Sequence, residues 1–275
     1  MVSVITVCLN SENCIEETMK SVLSQKDADI EYIIKDGGST DRTNEIVENV
    51  LKSITNERIK TVHVTEKDGG IYDAMNRAAD LASGDQIIFM NAGDRFFDEN
   101  VIRDASLYFD EKADVYFGNT VYTMKLCFFP QLHFADREED RISVGHQSCF
   151  YSKEALREYR FDTSYRIAGD HEQLLRLFSD GRRFLHMNLF VAVCDREGVS
   201  NARSDLHFEE LYRIEHDGKL VKDGRYRRGL FAFRIRSFLA KALPMAENRR
   251  YCLNNLKRTQ FAVPKNLSSS IMHRQ

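Results

Sequence analysis

The chain has 275 residues, 43% apolar and 29% charged, enough for a packed core and ordinary for a soluble protein. Six cysteines (Cys8, Cys14, Cys127, Cys149, Cys194, Cys252) lie scattered without a C-x-x-C pair, which argues against a zinc site or a secreted disulfide framework and suits a reducing cytosol. The net charge of −3 conceals an imbalance: residues from Asn201 onward hold 16 Lys and Arg against 7 Asp and Glu, a net of +9, leaving −12 on the first 200.

In chain order, "MVSVITVCLN" has no basic leader and only a short apolar run, so neither a signal peptide nor a membrane span is expected there. Strand-like runs follow at Val2–Cys8, Tyr32–Ile34, Thr61–Val64 and Gln86–Met90. Between them lie helical stripes: Ile15, Met19, Val22 and Leu23; then Ile46, Val47, Val50 and Leu51; then Ile71, Met75, Ala78 and Ala82. Strict alternation of strand and helix implies right-handed βαβ units and a parallel sheet. Thr40 or Asp41 is an expected N-cap for the second helix. After Asp98 the pattern loosens. Residues 101–109 read as a helix, 114–118 as a strand, "VYTMKLCFF" as a hairpin arm and "GDHEQLLRLFSDG" as a helix closed by Gly181. "FLHMNLFVAVC" reads as one or two short strands, and beyond "GVSNARS" the chain becomes helical, basic and Phe-rich.

A parallel sheet with polar strand ends first suggests a dinucleotide enzyme. The first strand runs into "CLNSENC", however, without the G-x-G-x-x-G turn, and no G-x-x-x-x-G-K-[ST] loop occurs. Polar residues cluster instead after four strands: Thr6 to Asn10, "KDGGSTD" from Lys35, "EKDGGIYDAMN" from Glu66 and "NAGD" from Asn91. Adjacent parallel strands bring these ends to one edge, where open α/β sheets bind ligands. Asp36, Asp68 and Asp94 converging there would repel a bare diphosphate, and a divalent cation resolves the conflict by bridging carboxylate and phosphate oxygens.

The segments "ITVCLN", "DGGSTDRT", "EKDGGIYDAMNRA", "SGDQIIFMNAGD", "GHQSCFYSKEAL" and "AGDHEQLLRL" fall in the order seen in family 2 glycosyltransferases. The chain resembles the bacterial exopolysaccharide, O-antigen and colanic-acid subgroup over residues 1–200. The resemblance implies an α/β GT-A fold, a Rossmann-like nucleotide-diphospho-sugar transferase with a mixed, mostly parallel sheet flanked by helices. It also implies residues 1–98 as the nucleotide-sugar half, 99–200 as the acceptor half, and 201–275 as a basic helical C-terminal extension. The implied activity is inverting transfer from a nucleotide sugar, with a UDP-sugar expected, to a hydroxyl of a lipid-linked saccharide, assisted by Mg2+ or Mn2+.

The same resemblance suggests a role for each candidate. Asp94 matches the last acid of the D-x-D metal motif, whose first acid is Asn91 or absent; its alternative is a turn aspartate. Asp36 matches the acid that reads the base, although Gly37 stands where relatives carry a second acid. Thr6 and Asn10 would contact the base, with Thr6 equally explained as a β-branched strand residue. Glu66, Asp68 and Gly70 occupy the segment near ribose and sugar, whereas Tyr72 and Met75 read as packing. Asp170 matches the general base, its alternative being an N-cap. His146 and Gln147 would touch acceptor or phosphate, and Glu197–Ser200 resembles a loop that closes over the donor.

Within Arg225–Leu243, six basic residues alternate with Leu and Phe, a composition suited to the interface of an anionic membrane. The competing account packs its Phe face on the catalytic domain or on a dimer partner. The expected location is cytoplasmic, peripheral at the inner face of the cell membrane, and no nucleic-acid partner is expected. Two other readings stay open: a metal-dependent nucleotidyltransferase, and a catalytically silent nucleotide-sugar-binding or scaffold protein.

Overall fold

The computed structural model describes residues 1–124, 127–131, 144–195, 205–216 and 224–242. Among these described residues, nine strands form one sheet in the order β3-β2-β1-β4-β8-β6-β9-β5, with β7 paired to β6. The first half is the expected βαβ series. β1 (Val2–Cys8), β2 (Ile30–Asp36), β3 (Ile59–Thr65) and β4 (Gln86–Phe89) run parallel, joined through α1 (Ile15–Leu23), α2 (Thr43–Lys52) and α3 (Ile71–Leu81). β1 and β2 are buried along their whole length. That follows from helices on both faces, which demand an unbroken apolar run rather than an alternating one.

Side-chain direction still alternates along these strands. Val4, Tyr32 and Ile34 pack on one face with Ile15, Met19 and Val22 of α1. Ile5, Val7 and Ile33 pack on the other face with Tyr72, Met75 and Ala78 of α3. Two cores therefore grip the sheet between them.

The second half joins the same sheet. After β5 (Arg95–Phe96) and α4 (Val101–Ser106), β6 (Val115–Met124) forms a hairpin with β7 (Cys127–Gln131). A 3-10 turn at His146–Ser148 leads into β8 (Cys149–Ser152), which inserts antiparallel between β4 and β6. Then come α5 (Lys153–Glu158), α6 (Gly169–Ser179) and β9 (Phe184–Asp195). "FLHMNLFVAVC" thus lies within a single strand of 12 residues, and the irregularity lies in its register against Phe117–Thr120 of β6. The sheet is continuous across residue 98, with no break in hydrogen bonding between the two expected halves.

The extension contributes α7 (Asp205–Glu215) and α8 (Gly224–Ala242). Phe208 of α7 meets Tyr226 and Phe233 of α8, at centroid distances of 5.6 and 5.4 Å. The outward side of α8 carries exposed Arg225, Arg227, Arg228 and Arg234 beside Phe231 and Ile235, which are 68% and 45% exposed. Among the described residues no helix is long and apolar enough to cross a membrane. Glu197–Ser200 lies outside the described residues.

Candidate active site

The carboxyl ends of β2, β1 and β4 lie side by side, since Cys8 pairs with Asp36 and Ile5 with Phe89. The loops that follow these strands therefore reach one edge, but the expected residues on them have different surroundings.

Asp36 is fully buried and turned onto its own loop. Its carboxylate accepts from the backbone N–H of Gly38 and Ser39 at 3.0 and 2.9 Å, from the Ser39 hydroxyl, and from Asn44 Nδ2 at 2.9 Å. Burial opposes its charge, yet these bonds hold its pKa below the usual carboxylate range. Asn10, in the left-handed region at φ 50°, accepts from Thr40 N–H at 2.9 Å while its own N–H donates to Ser39 Oγ at 2.7 Å. Asp36 and Asn10 together fix the shape of the loop. The Thr6 side chain is fully buried, donating to the Met90 carbonyl at 2.7 Å and paired with Tyr32 Oη at 3.0 Å, which leaves its hydroxyl engaged inside the core. The N-cap position of α2 is Arg42, so neither Thr40 nor Asp41 is the cap; Asp41 stands one residue earlier and accepts from Thr43 N–H at 3.0 Å.

Asp68 fills the space opened by Gly37. A Cβ on residue 37 would stand 2.8 Å from Asp68 Oδ2. That carboxylate is held by Lys35 Nζ at 3.2 Å and by the Gly70 N–H at 3.1 Å. Lys35, only 1% exposed, also donates to the carbonyls of Asp36 and Glu66, tying the ends of β2 and β3 together. Gly70, at φ 129°, begins α3 in a conformation that side chains disfavour. Glu66 points outward to Arg77 at 3.2 Å.

At the end of β4 the Gly93–Asp94 turn is pinned by Thr18, whose hydroxyl donates to the Asp94 carbonyl at 2.7 Å and accepts from Gly93 N–H at 3.0 Å. The Asp94 carboxyl is half-buried. Burial raises its pKa, against the lowering effects of the His146 charge and a hydrogen bond with the Cys194 thiol. The charge of Asp170 adds to the rise, so the two carboxylates sense each other. Cys194 also bonds Gln147, linking the 3-10 turn to β9.

Asp170 is the second residue of α6, whose N-cap position is Ala168, so it is not itself the cap. Its Oδ1 accepts from Tyr72 Oη–H at 3.2 Å and from His171 N–H at 2.9 Å, and its Oδ2 faces His146 Nδ1 at 3.1 Å. Burial pushes the carboxyl toward its neutral form, but His146 and the His171 N–H outweigh burial and hold its pKa below the ordinary value.

The other His146 nitrogen, Nε2, stands 3.0 Å from Asn91 Nδ2, and Asn91 Oδ1 accepts from the Val7 N–H at 3.4 Å. Because the Val7 N–H must meet an acceptor, the Asn91 amide is oriented to donate to His146. Nε2 is then unprotonated, and the ring proton sits on Nδ1, aimed at Asp170. Burial resists a second ring proton, while Asp170 attracts one and lifts the imidazole pKa. Accepting it would require the Asn91 amide to turn over, setting donor against donor at Val7.

Several contributors escaped sequence reasoning. Lys35 opened the polar cluster after the second strand run but was given no role there. Tyr72 read as packing, and its ring does stack on Phe161 at 5.5 Å, but its hydroxyl bonds Asp170. Among the described residues no cluster of three or more His, Cys, Asp or Glu side chains is arranged to hold a metal ion. Among the described residues at this edge, Asp94 and Asp170 are both desolvated carboxylates, too few to hold a cation by themselves. That suits an ion drawing its remaining ligands from a diphosphate and water.

Comparison with known proteins gives a consistent picture. The profile described as Glycosyl transferase family 2 matches residues 3–169. A PGL/p-HBAD biosynthesis glycosyltransferase of Mycobacterium bovis (strain BCG / Pasteur 1173P2) is 27% identical over 214 residues, covering 76% of this chain and 82% of the relative. A protein of the same description from Mycobacterium tuberculosis (strain ATCC 25177 / H37Ra) matches equally. In three dimensions, S. aureus TarS in complex with UDP-GlcNAc superposes with a TM-score of 0.65 at 20% identity, over 96% of this chain and 81% of that one. The mannosyltransferase PcManGT from Pyrobaculum calidifontis, in complex with GDP-Man and Mn2+, gives a TM-score of 0.60 at 17% identity, over 94% and 82%. These likenesses establish the GT-A fold.

Proposed function

The chain belongs to glycosyl transferase family 2, and on that premise we propose that it is an inverting transferase. It moves a sugar from a UDP-sugar to a hydroxyl of a lipid-linked saccharide in bacterial surface-polysaccharide assembly. One observation carries the mechanism: Asp170 is a half-buried carboxylate kept ionised, its two oxygens oriented by Tyr72 and His146, close enough to Asp94 in the turn after β4 for the two charges to interact.

The acceptor hydroxyl attacks the anomeric carbon from the face opposite the leaving group. As the new C–O bond forms, its proton passes to Asp170, and the old anomeric C–O bond breaks with both electrons staying on the nucleoside diphosphate. A pKa below the ordinary carboxylate value makes Asp170 a modest base, which serves when proton transfer accompanies bond formation instead of preceding it. Asp94 would hold Mg2+ or Mn2+ against the donor, and the bound ion supplies charge neutralisation to the departing diphosphate. Asp68, Glu66 and Gly70 line the approach to the donor, with Asn10 and Asp36 shaping the loop beside the base. His146 and Gln147 sit on the acceptor side.

The uridine preference follows TarS, and guanosine, as bound by PcManGT, is the competing base. The exposed Arg, Phe231 and Ile235 side of α8 supports a peripheral place on the anionic inner leaflet.

Calorimetric titration with UDP, with and without Mn2+, tests the donor half. Metal-dependent binding is expected in the wild type and in Asp170→Asn, and is lost in Asp94→Ala. Asp170→Asn should lower turnover about 100-fold or more, within the range for removing a general base. Turnover close to wild type in Asp170→Asn would overturn the assignment.

A further inference from the structure

The backbone leading into Asp170 is held by a residue from outside the stretch that the family profile matches. Glu210 of α7 is 5% exposed, and its carboxylate accepts three successive backbone N–H groups: Arg166 at 2.8 Å, Ile167 at 2.9 Å and Ala168 at 2.8 Å. Helix α6 starts immediately after them, and its N-cap, Ala168, has no side chain able to cap it. The first N–H groups of a helix lack intrahelical acceptors and carry the positive end of its dipole. Of the three N–H groups, that of Ala168 belongs to the helix start and meets a carboxylate from 42 residues away, while those of Arg166 and Ile167 anchor the segment leading into it.

A second grip lies one turn further along α7. Arg213 stacks on the Tyr165 ring at 4.0 Å and donates to Ser164 Oγ at 2.6 Å. On the opposite side Tyr72 closes the clamp. Its single hydroxyl proton is shared between the Ile167 carbonyl at 2.7 Å and Asp170 Oδ1 at 3.2 Å, and its ring lies so close to Gly169 that a Cβ there would approach it to 2.7 Å. The segment before Asp170 is thus fixed between α3 and α7.

We propose that Glu210 is a positioning residue for the transfer reaction: the C-terminal extension, through α7, sets the attitude of Asp170. The catalytic unit then does not end at residue 200 but includes α7. Glu210 meets backbone amides only. Its contribution is to hold the α6 start where Asp170 Oδ1 meets Tyr72 and Oδ2 meets His146. A shift of about 1 Å in a reacting group can cost on the order of 100-fold in rate.

This inference rests on Asp170 being the base, so its test includes a measurement independent of turnover. Full-length Glu210→Gln is compared with wild type and with Glu209→Gln, which alters the neighbouring α7 carboxylate that accepts from Tyr226 at 2.7 Å. Hydrogen exchange in a peptide spanning 160–175 should quicken about tenfold or more in Glu210→Gln, while a peptide spanning 86–98 is unchanged. Nucleotide release from UDP-GlcNAc, UDP-glucose or GDP-mannose should show kcat falling about 10- to 100-fold with donor KM unchanged, and the Kd for UDP with Mn2+ should stay within about twofold of wild type. Glu209→Gln should match wild type throughout.

Unchanged exchange at 160–175 would overturn the proposal. So would a Glu210→Gln loss that falls equally on kcat, UDP affinity and the 86–98 peptide, since that is general packing. If wild type releases nucleotide from none of these donors, the catalytic reading fails on its own, and the exchange data alone decide whether Glu210 seats the loop.

Discussion

Asn91→Asp tests the proton arrangement around the base. In the wild type an amide donates to His146 Nε2 across 3.0 Å. In the variant a carboxylate would face the same nitrogen. Two unit charges at that separation attract by about 5 kcal/mol at an effective dielectric near 20, and desolvation removes part of this. The net effect of a carboxylate this close is about 1–3 pKa units. The imidazole therefore takes a second proton and becomes a cation between the introduced carboxylate and Asp170.

The consequence for stability has a definite sign. The folded-state pKa of His146 already lies above its ordinary value, and the variant raises it further. The added stability is fully present below about pH 6.5, the unfolded imidazole value, and is lost as pH rises through the folded value. Relative to wild type, the variant should thus lose about 1.4–4 kcal/mol as pH rises from the ordinary imidazole value through its raised folded-state value. Turnover should fall about tenfold, because a full positive charge beside Asp170 lowers its basicity.

Nitrogen-15 NMR of the eight histidine rings, with His146 identified by its absence in His146→Gln, reads the protonation directly. In the wild type at pH 8 the expected signature is a proton on Nδ1 and none on Nε2. A wild-type His146 protonated on both nitrogens at pH 8, or a titration indifferent to Asn91→Asp, would refute this reasoning.

Asp68→Ala strands the buried Lys35 ammonium, and a denaturant melt should show a loss of about 3 kcal/mol, the lower end for a broken buried pair because two carbonyls still accept from Lys35. Gly37→Ala should weaken nucleotide binding by displacing Asp68 Oδ2, which a new Cβ would meet at 2.8 Å; undiminished calorimetric affinity would show that this carboxylate plays no part in the donor site. Replacing Arg227 and Arg228 with Glu should cut co-sedimentation with anionic vesicles at least tenfold, given about 1 kcal/mol per basic residue at such a surface. Equal recovery of the wild type with neutral and anionic vesicles would remove the membrane reading.

Sequence alone reveals some of this site and conceals the rest, for a physical reason. β1, β2 and β4 were legible because burial on both faces writes itself as an unbroken apolar run, the largely exposed edge strand β3 because of its place in the strand–helix alternation, and Asp94 because a parallel strand must end at the ligand edge. The insertion of β8 between β4 and β6 was not legible, because it depends on pairing between distant segments that no local pattern encodes. The same distinction runs through the side chains. Asp170 and His146 are 24 residues apart, and each sits in a recognisable motif, yet nothing in either motif announces their contact at 3.1 Å. Tyr72 shows its ring to a periodicity argument and hides its hydroxyl, which acts 98 residues away.

Glu210 is the extreme case. Its partners are three backbone amides, so no residue type at 166–168 could have pointed to it. Asn91 shows the converse. Judged against the family pattern it is a lost acid, whereas in the fold it is a donor that a carboxylate could not replace without adding a proton to His146. A departure from a motif is therefore best judged by the hydrogen-bond role it exchanges: at Asn91 an acceptor gave way to a donor, and the proton between His146 and Asp170 is placed by that exchange.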